Sequence, residues 1–227
     1  TGKNFEPSWR IAEFLPEAIE FFGEVERATG QTFWHYLPVH RLVSEKDWKK
    51  VAEKLERPGV EQWVERVDEQ VEEWRAVVVL KGGGRFDAPA FCEASERRFE
   101  DRRAKIEHPR PNAVRCGGAV DLIAGKFGEH RCAKGEILTV EIPGQDESRI
   151  LVGGGGWLIP VGESRFKVGA TYEWDELDNQ PTDAGRRRVE EILGRLGVES
   201  FTVANHEAGV RPIVRRSMPL IGELPDG

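Results

Sequence analysis

The stretch Gly135-Glu136-Ile137-Leu138-Thr139-Val140-Glu141-Ile142 decides the fold class, because most of the chain beyond it keeps the same character. It is short, rich in residues that favour strands, and ends at the turn-like pair Pro143-Gly144, so it reads as a β-strand. Arg149 to Val161 and Arg165 to Trp174 continue in the same manner, with Gly162-Glu163 between them. Short β segments separated by tight-turn residues predict an antiparallel meander. Thr182 then caps a helix whose apolar positions Val189, Ile192, Leu193 and Leu196 share one face, and Gly197 closes it. Phe201 to Ala204 resumes β structure and leads into Ala208-Gly209-Val210-Arg211-Pro212.

Upstream of that block the chain reads mainly helical. Ile11, Phe14, Leu15, Ala18, Phe22 and Val25 recur at spacings of three and four, which predicts a helix with Ser8 as its cap and Gly30 as its end. Pro16 lacks a backbone N–H, so a kink or a fresh start is expected there. Gln31 to Val43 reads as a strand, with Pro38 marking an edge or a bulge. Ser44-Glu45-Lys46-Asp47 resembles a capping box before a helix that buries Trp48, Val51, Ala52 and Leu55 and stops at Pro58-Gly59. The spacing of Val60, Trp63, Val64, Val67 and Val71 predicts another helix, and Arg75 to Leu80 a short strand. Asp87, with Pro89 in the first turn, predicts a capped helix that carries Phe91, Ser95 and Phe99 on one face. His108 to Asn112 reads as a loop. The fold class is therefore α+β: a mostly antiparallel mixed sheet with helices packed on it.

Composition narrows the function. The 227 residues include 39% hydrophobic and 32% charged residues, a globular balance long enough to bury a core without metal or disulfide support. No run approaches the ~18 apolar residues of a membrane helix. Lys plus Arg number 33 against 40 Asp plus Glu, so the net charge is −7. That acidic balance argues against general nucleic-acid binding and leaves only local basic patches, such as Arg186-Arg187-Arg188 and Arg215-Arg216. Cys92, Cys116 and Cys132 form no CxxC pair, which fits a reducing, cytoplasmic setting. The start lacks a signal-peptide pattern, and a chain beginning at Thr1 is expected to be a piece of something longer.

Few residues announce chemistry. Gly82 to Gly84 and Gly153 to Gly156 invite a phosphate-cradle reading, but neither lies between a strand and a helix at dinucleotide-binding spacing. Turns or close backbone approaches explain them better. His35, His40, His108, His130 and His206 share no metal-ligand spacing with the cysteines, and no Gly-x-Ser-x-Gly elbow occurs. Arg211 differs: Pro212 biases it toward extended geometry, and Gly209 permits close approach. A guanidinium held at a rigid strand end suits a carboxylate, because its fork matches two oxygens. A structural salt bridge to one of the forty acids is the competing explanation.

Six stretches in order carry a resemblance. They are Lys134 to Val140, Gly156-Trp157-Leu158-Ile159-Pro160-Val161-Gly162, Phe166-Lys167-Val168-Gly169-Ala170-Thr171-Tyr172, the helix from Thr182, Ala208 to Pro212, and Met218-Pro219-Leu220-Ile221-Gly222. This succession resembles the FAD-dependent oxidoreductases of the D-amino-acid oxidase family. Glycine and sarcosine oxidases belong to that family, as does the oxidase domain of a tRNA-modifying enzyme. Thr1-Gly2-Lys3, Lys81 to Asp87 and Cys116-Gly117-Gly118 are weaker echoes.

Family members pair a Rossmann-type FAD-binding part with a mostly antiparallel part that shapes the substrate pocket, and residues 1–227 resemble the second. The resemblance implies a substrate-binding domain of a longer flavoenzyme, with FAD-binding segments absent at both ends and FAD bound by the parent protein rather than by this chain. It implies hydride transfer from the amine-bearing carbon of a small amine or amino acid to the flavin, and the missing FAD-binding part as partner. Arg211 matches the family arginine that pairs with the substrate carboxylate. Trp157 falls where related members place a tyrosine, and its indole N–H can donate but not accept. Tyr172 and His206 complete the candidate substrate-binding set. No catalytic residue and no metal ligand is assigned. The alternatives are a non-catalytic binding or assembly module of the same fold, or the oxidase domain of a tRNA-modifying enzyme.

Overall fold

The computed structural model describes residue 5 and residues 8–102, 114, 116–126 and 131–213. Helix α1 (Ile11–Thr29) runs through Pro16 as one helix. Its start lies at Arg10 rather than Ser8: Arg10 adopts a left-handed conformation, and Ile11 N–H donates to the Ser8 carbonyl. Gly30 ends it as expected, at φ 70°. The predicted strand from Gln31 to Val43 is broken at Leu37-Pro38 into β1 (Trp34–Tyr36) and β2 (Val39–Val43), which join different sheets. Helix α2 (Glu45–Leu55) follows, with the Ser44 hydroxyl bonded to Asp47 Oδ2 at 2.7 Å instead of to a backbone amide.

The helix expected from Val60 to Val71 is not formed. A single 3₁₀ turn, Glu61–Trp63, leads into strand β3 (Val64–Val71). The reason lies in β4 (Trp74–Leu80), whose residues Ala76 to Val79 are all buried. A strand buried on both faces needs a ladder on both edges; β2 supplies one and β3 the other, through a tight Glu72-Glu73 hairpin. Tertiary pairing here overrides a helical spacing. Short β5 (Gly84–Phe86) pairs with β1, and α3 (Ala88–Arg98) begins at Asp87, whose carboxylate accepts the Ala90 N–H at 3.1 Å. Phe22, Phe33, Phe86 and Phe91 pack against one another around this small sheet.

The second half follows its sequence closely. After α4 (Gly118–Ile123) come β6 (Arg131–Glu141), β7 (Ile150–Gly153), β8 (Gly156–Gly162) and β9 (Arg165–Gly169), then α5 (Asp183–Arg195) and β10 (Thr202–Ile213). Arg149 to Val161 is thus a hairpin turning at Gly154-Gly155, and the strand expected to reach Trp174 stops at Gly169. The main sheet has the order β10-β6-β9-β8-β7-β2-β4-β3, antiparallel except at β2–β7.

Cross-strand partners share a face, so register assigns every side chain to one of two layers. The first layer holds Leu42, Val77, Val79, Leu138, Val140, Leu158, Phe166 and Val168, and α5 covers it with Val189, Ile192 and Leu193. The opposite layer holds Val43, Ala76 and Val78, covered by Val51 of α2 and by Phe5. That second cover reaches only one end of the sheet. At the other end, across β10, β6, β9 and β8, the face opposite α5 carries three of the four candidate substrate residues.

Candidate functional site

Arg211 is paired in register with Ala133, and Gly209 with Gly135. Both partners on β6 are small, and this lets the Arg211 side chain lie flat across the strand. A Cβ on Gly135 would fall on Arg211 Nη2. The guanidinium ends 4.5 Å above the Tyr172 ring, with Nη2 donating to the Thr171 carbonyl at 3.4 Å. Stacking uses the face of the guanidinium and leaves N–H edges available to an anion. Among the described residues no carboxylate pairs with Arg211, although the chain carries 40 acids against 33 bases. On the same face Glu207 is already paired with Lys167 at 3.2 Å.

Thr171 organises this corner from behind. Its hydroxyl accepts the Glu136 N–H at 2.9 Å and its N–H donates to the Glu136 carbonyl at 3.2 Å. Glu173 and Lys134 exchange both backbone bonds at 2.9 Å. Residues 171–173 therefore run as an added edge beside β6, with alternating sides. Thr171 and Glu173 face α5, where Glu173 pairs with Arg188, and Tyr172 and Trp174 face the open side.

Three of the four expected residues share that open face. Trp157 pairs with Gly169, which pairs with Ile137, so it shares a layer with Arg211. It stands three strands across and four residues along from the Arg211–Ala133 pair, roughly 14 Å and 13 Å at ordinary sheet spacings. Trp157 is thus a more distant wall, packed against Gly169. Tyr172 is the neighbour of the guanidinium.

His206 is on the other face. Its Nε2 lies 2.8 Å from Glu136 Oε2, a close approach off the line of a good hydrogen bond. Glu136 is fully buried. Its carboxylate also accepts the Thr182 N–H at 2.9 Å and the Thr182 hydroxyl at 2.8 Å, while that hydroxyl accepts the Gly185 N–H. The absent side chain of Gly185 makes room for the carboxylate. Nearby, Lys134, 1% exposed, pairs with Asp178 at 2.5 Å, and this contact, followed by the Gln180 N–H, holds the Asp178 carboxyl below its ordinary range. This face is a structural lock between β6 and the start of α5.

Sequence reasoning passed over Gly135, Thr171, Glu136 and Arg131. The usable signals were an acid heading an apolar run at Glu136 and the period-two pair Tyr172 and Trp174. Of the basic patch on α5, Arg186 is bonded to Glu190 at 2.8 Å and Arg188 is paired with Glu173. His108, His130, Arg215-Arg216, Thr1-Gly2-Lys3 and Met218 to Gly222 lie outside the described residues. Among the described residues no group of His, Cys, Asp and Glu could hold a metal, and no helix is long and apolar enough to cross a membrane.

The glycine runs do not form a dinucleotide cradle. Gly153 to Gly156 make a hairpin turn pressed against Leu42, Arg195 and Ile192, and Gly84 sits on the His35 carbonyl. Among the described residues no strand–glycine loop–helix unit occurs, so they do not fit the nucleotide portion of FAD.

Comparison with known proteins agrees with the fold. Glycine oxidase from Geobacillus kaustophilus superposes with a TM-score of 0.71 at 15% identity, over 93% of this chain and 68% of that one. Iminodiacetate oxidase from Chelativorans sp. BNC1 gives 0.69 at 18% identity, over 97% and 73%. A tRNA 5-methylaminomethyl-2-thiouridine biosynthesis bifunctional protein from Burkholderia mallei is 35% identical over 80 residues, which span 32% of this chain and only 12% of that protein. The family described as FAD dependent oxidoreductase matches residues 2–227, and the chain belongs to that family.

Proposed function

We propose that this chain forms the substrate-holding layer of an FAD-dependent oxidoreductase acting on a small amine or amino acid, with Arg211 as its carboxylate clamp. The observation that carries the reading is a guanidinium stacked on Tyr172, steadied by the Thr171 carbonyl, and paired with no acid among the described residues. A cation fixed this way is preorganised for a planar anion and loses little freedom on binding. Tyr172 supplies an apolar wall beside it, and Trp157 a more distant one. FAD, the cofactor of the family, is held by parts of the protein other than the described residues and supplies the redox chemistry. The residues here bind and orient the substrate.

In the flavin-loaded protein, Arg211→Gln is expected to lower kcat/KM by about 10- to 100-fold, the scale of a lost charge-assisted hydrogen bond. Unchanged turnover would remove Arg211 from the site. Absence of turnover in the native protein, with the fold intact, would favour a non-catalytic module.

The short match to a tRNA-modifying protein supports a second reading, in which the amine is carried on RNA. That reading predicts tRNA binding that weakens steeply with salt. Failure to retain tRNA at low salt would end it.

A further inference from the structure

The open face carries a second copy of the Arg211 arrangement. Arg131 lies two residues from Ala133 on β6 and is therefore the diagonal neighbour of Arg211, about 7–8 Å away at the backbone. Its guanidinium sits 4.5 Å over the Trp174 ring, as that of Arg211 sits 4.5 Å over Tyr172. The two rings are 6.2 Å apart and tilted by 35°. Tyr172 and Trp174 are 47% and 40% exposed, so this double stack forms part of the surface. Ala133 and Gly135 beneath it leave a shallow floor between the strand-borne arginines and the rings.

Two like charges held as diagonal neighbours repel each other, and nothing among the described residues neutralises either one. Arg131, like Arg211, has no carboxylate partner there, while Lys134 on the reverse face has found Asp178 and Arg188 has found Glu173. In an acidic chain, two stacked guanidiniums side by side with no carboxylate partner among the described residues fit a ligand that brings its own charges. We infer that Arg131 and Trp174 form a second anion subsite beside Arg211, and that the substrate is an amine or amino acid carrying a further anionic group, carboxylate or phosphate, at its far end. This inference rests on the reading of Arg211 as the carboxylate clamp. The clamp fixes one end of the substrate, and Arg131 selects by what lies one ring spacing away.

The test uses unreactive acids, so that no turnover intervenes. Dissociation constants for the full chain are measured by calorimetry with butyrate, glutarate, which adds a second carboxylate, and 4-phosphonobutyrate, which replaces it by a phosphonate. Native protein is expected to bind one of the dianions at least about tenfold more tightly than butyrate, and the preferred one identifies the group. Arg131→Gln should bring the ratio of dianion to butyrate affinity close to one. Circular dichroism checks that the variant is folded. Equal binding of all three acids, lost in Arg211→Gln, would overturn the second subsite and leave the clamp standing. A dianion preference that survives Arg131→Gln would also overturn it. Binding indifferent to Arg211→Gln, or no binding, would overturn the clamp and the subsite together.

Discussion

Gly135 and Gly185 both lack a side chain that would collide with a charged group, yet the consequences of filling them differ. At Gly135 the obstacle is the end of Arg211, a flexible side chain that can swing away. Gly135→Ala should leave secondary structure intact and weaken carboxylate binding by about tenfold or more, measured by calorimetry, because the guanidinium loses its bed. At Gly185 the obstacle is the fully buried Glu136 carboxylate, tied to Thr182 and His206. It has nowhere to move, so Gly185→Ala should cost about 1–3 kcal/mol in denaturant unfolding. Equal effects on folding and binding in the two variants would contradict this division between an open binding face and a locked structural one. Arg211 was legible in the sequence because a proline follows it and a glycine precedes it by two residues. Arg131 was not: a lone arginine in a charged chain looks like any solvated residue until register sets it beside Arg211.

At the scale of elements, local chemistry was readable and pairing was not. Asp87 and Thr182 cap their helices with their own side chains, as their sequences promised, and Gly197 follows α5 at φ 79°. Those signals act over a few residues. The helical spacing of Val60 to Val71 misled because the demand that made most of this segment a strand comes from β4, a separate segment with two edges to satisfy. His206 was placed in the candidate set by its nearness to Arg211 in sequence, but alternation and a five-residue separation send it to the opposite face. On strand β2, burial and then the cations Arg149 and Arg66 hold His40 below its ordinary value of about 6.5, so the fold favours the neutral ring. The unfolded chain then binds a proton before the folded one does. The stability this contributes is complete above about pH 6.5 and is lost as pH falls through the lower folded value. Thermal midpoints should decline between about pH 7.5 and 5, and less steeply in His40→Asn. A parallel decline in both would assign the effect to other groups.

The whole molecule is organised by an asymmetry between the two faces of one sheet. The α5 side is closed by Val189, Ile192 and Leu193 over a continuous apolar layer, and its buried charged groups are paired. The opposite side is closed by α2 at the β2–β4–β3 end and bears two stacked arginines with no acid partner among the described residues at the β10–β6 end. Composition could not reveal this, since a net charge of −7 averages over both faces. Alternation along β10 separates Arg211 from His206, and its register on β6 sets Arg211 over Gly135 and His206 beside Glu136. The division is tested most directly by an NMR titration of the chain with N-methylglycine, following backbone amides. Shifts are expected to cluster at Gly135, Tyr172, Trp174 and Arg211 and to disappear in Arg211→Gln. Shifts centred on His206, Glu136 and Thr182, or a pattern unchanged by Arg211→Gln, would contradict it.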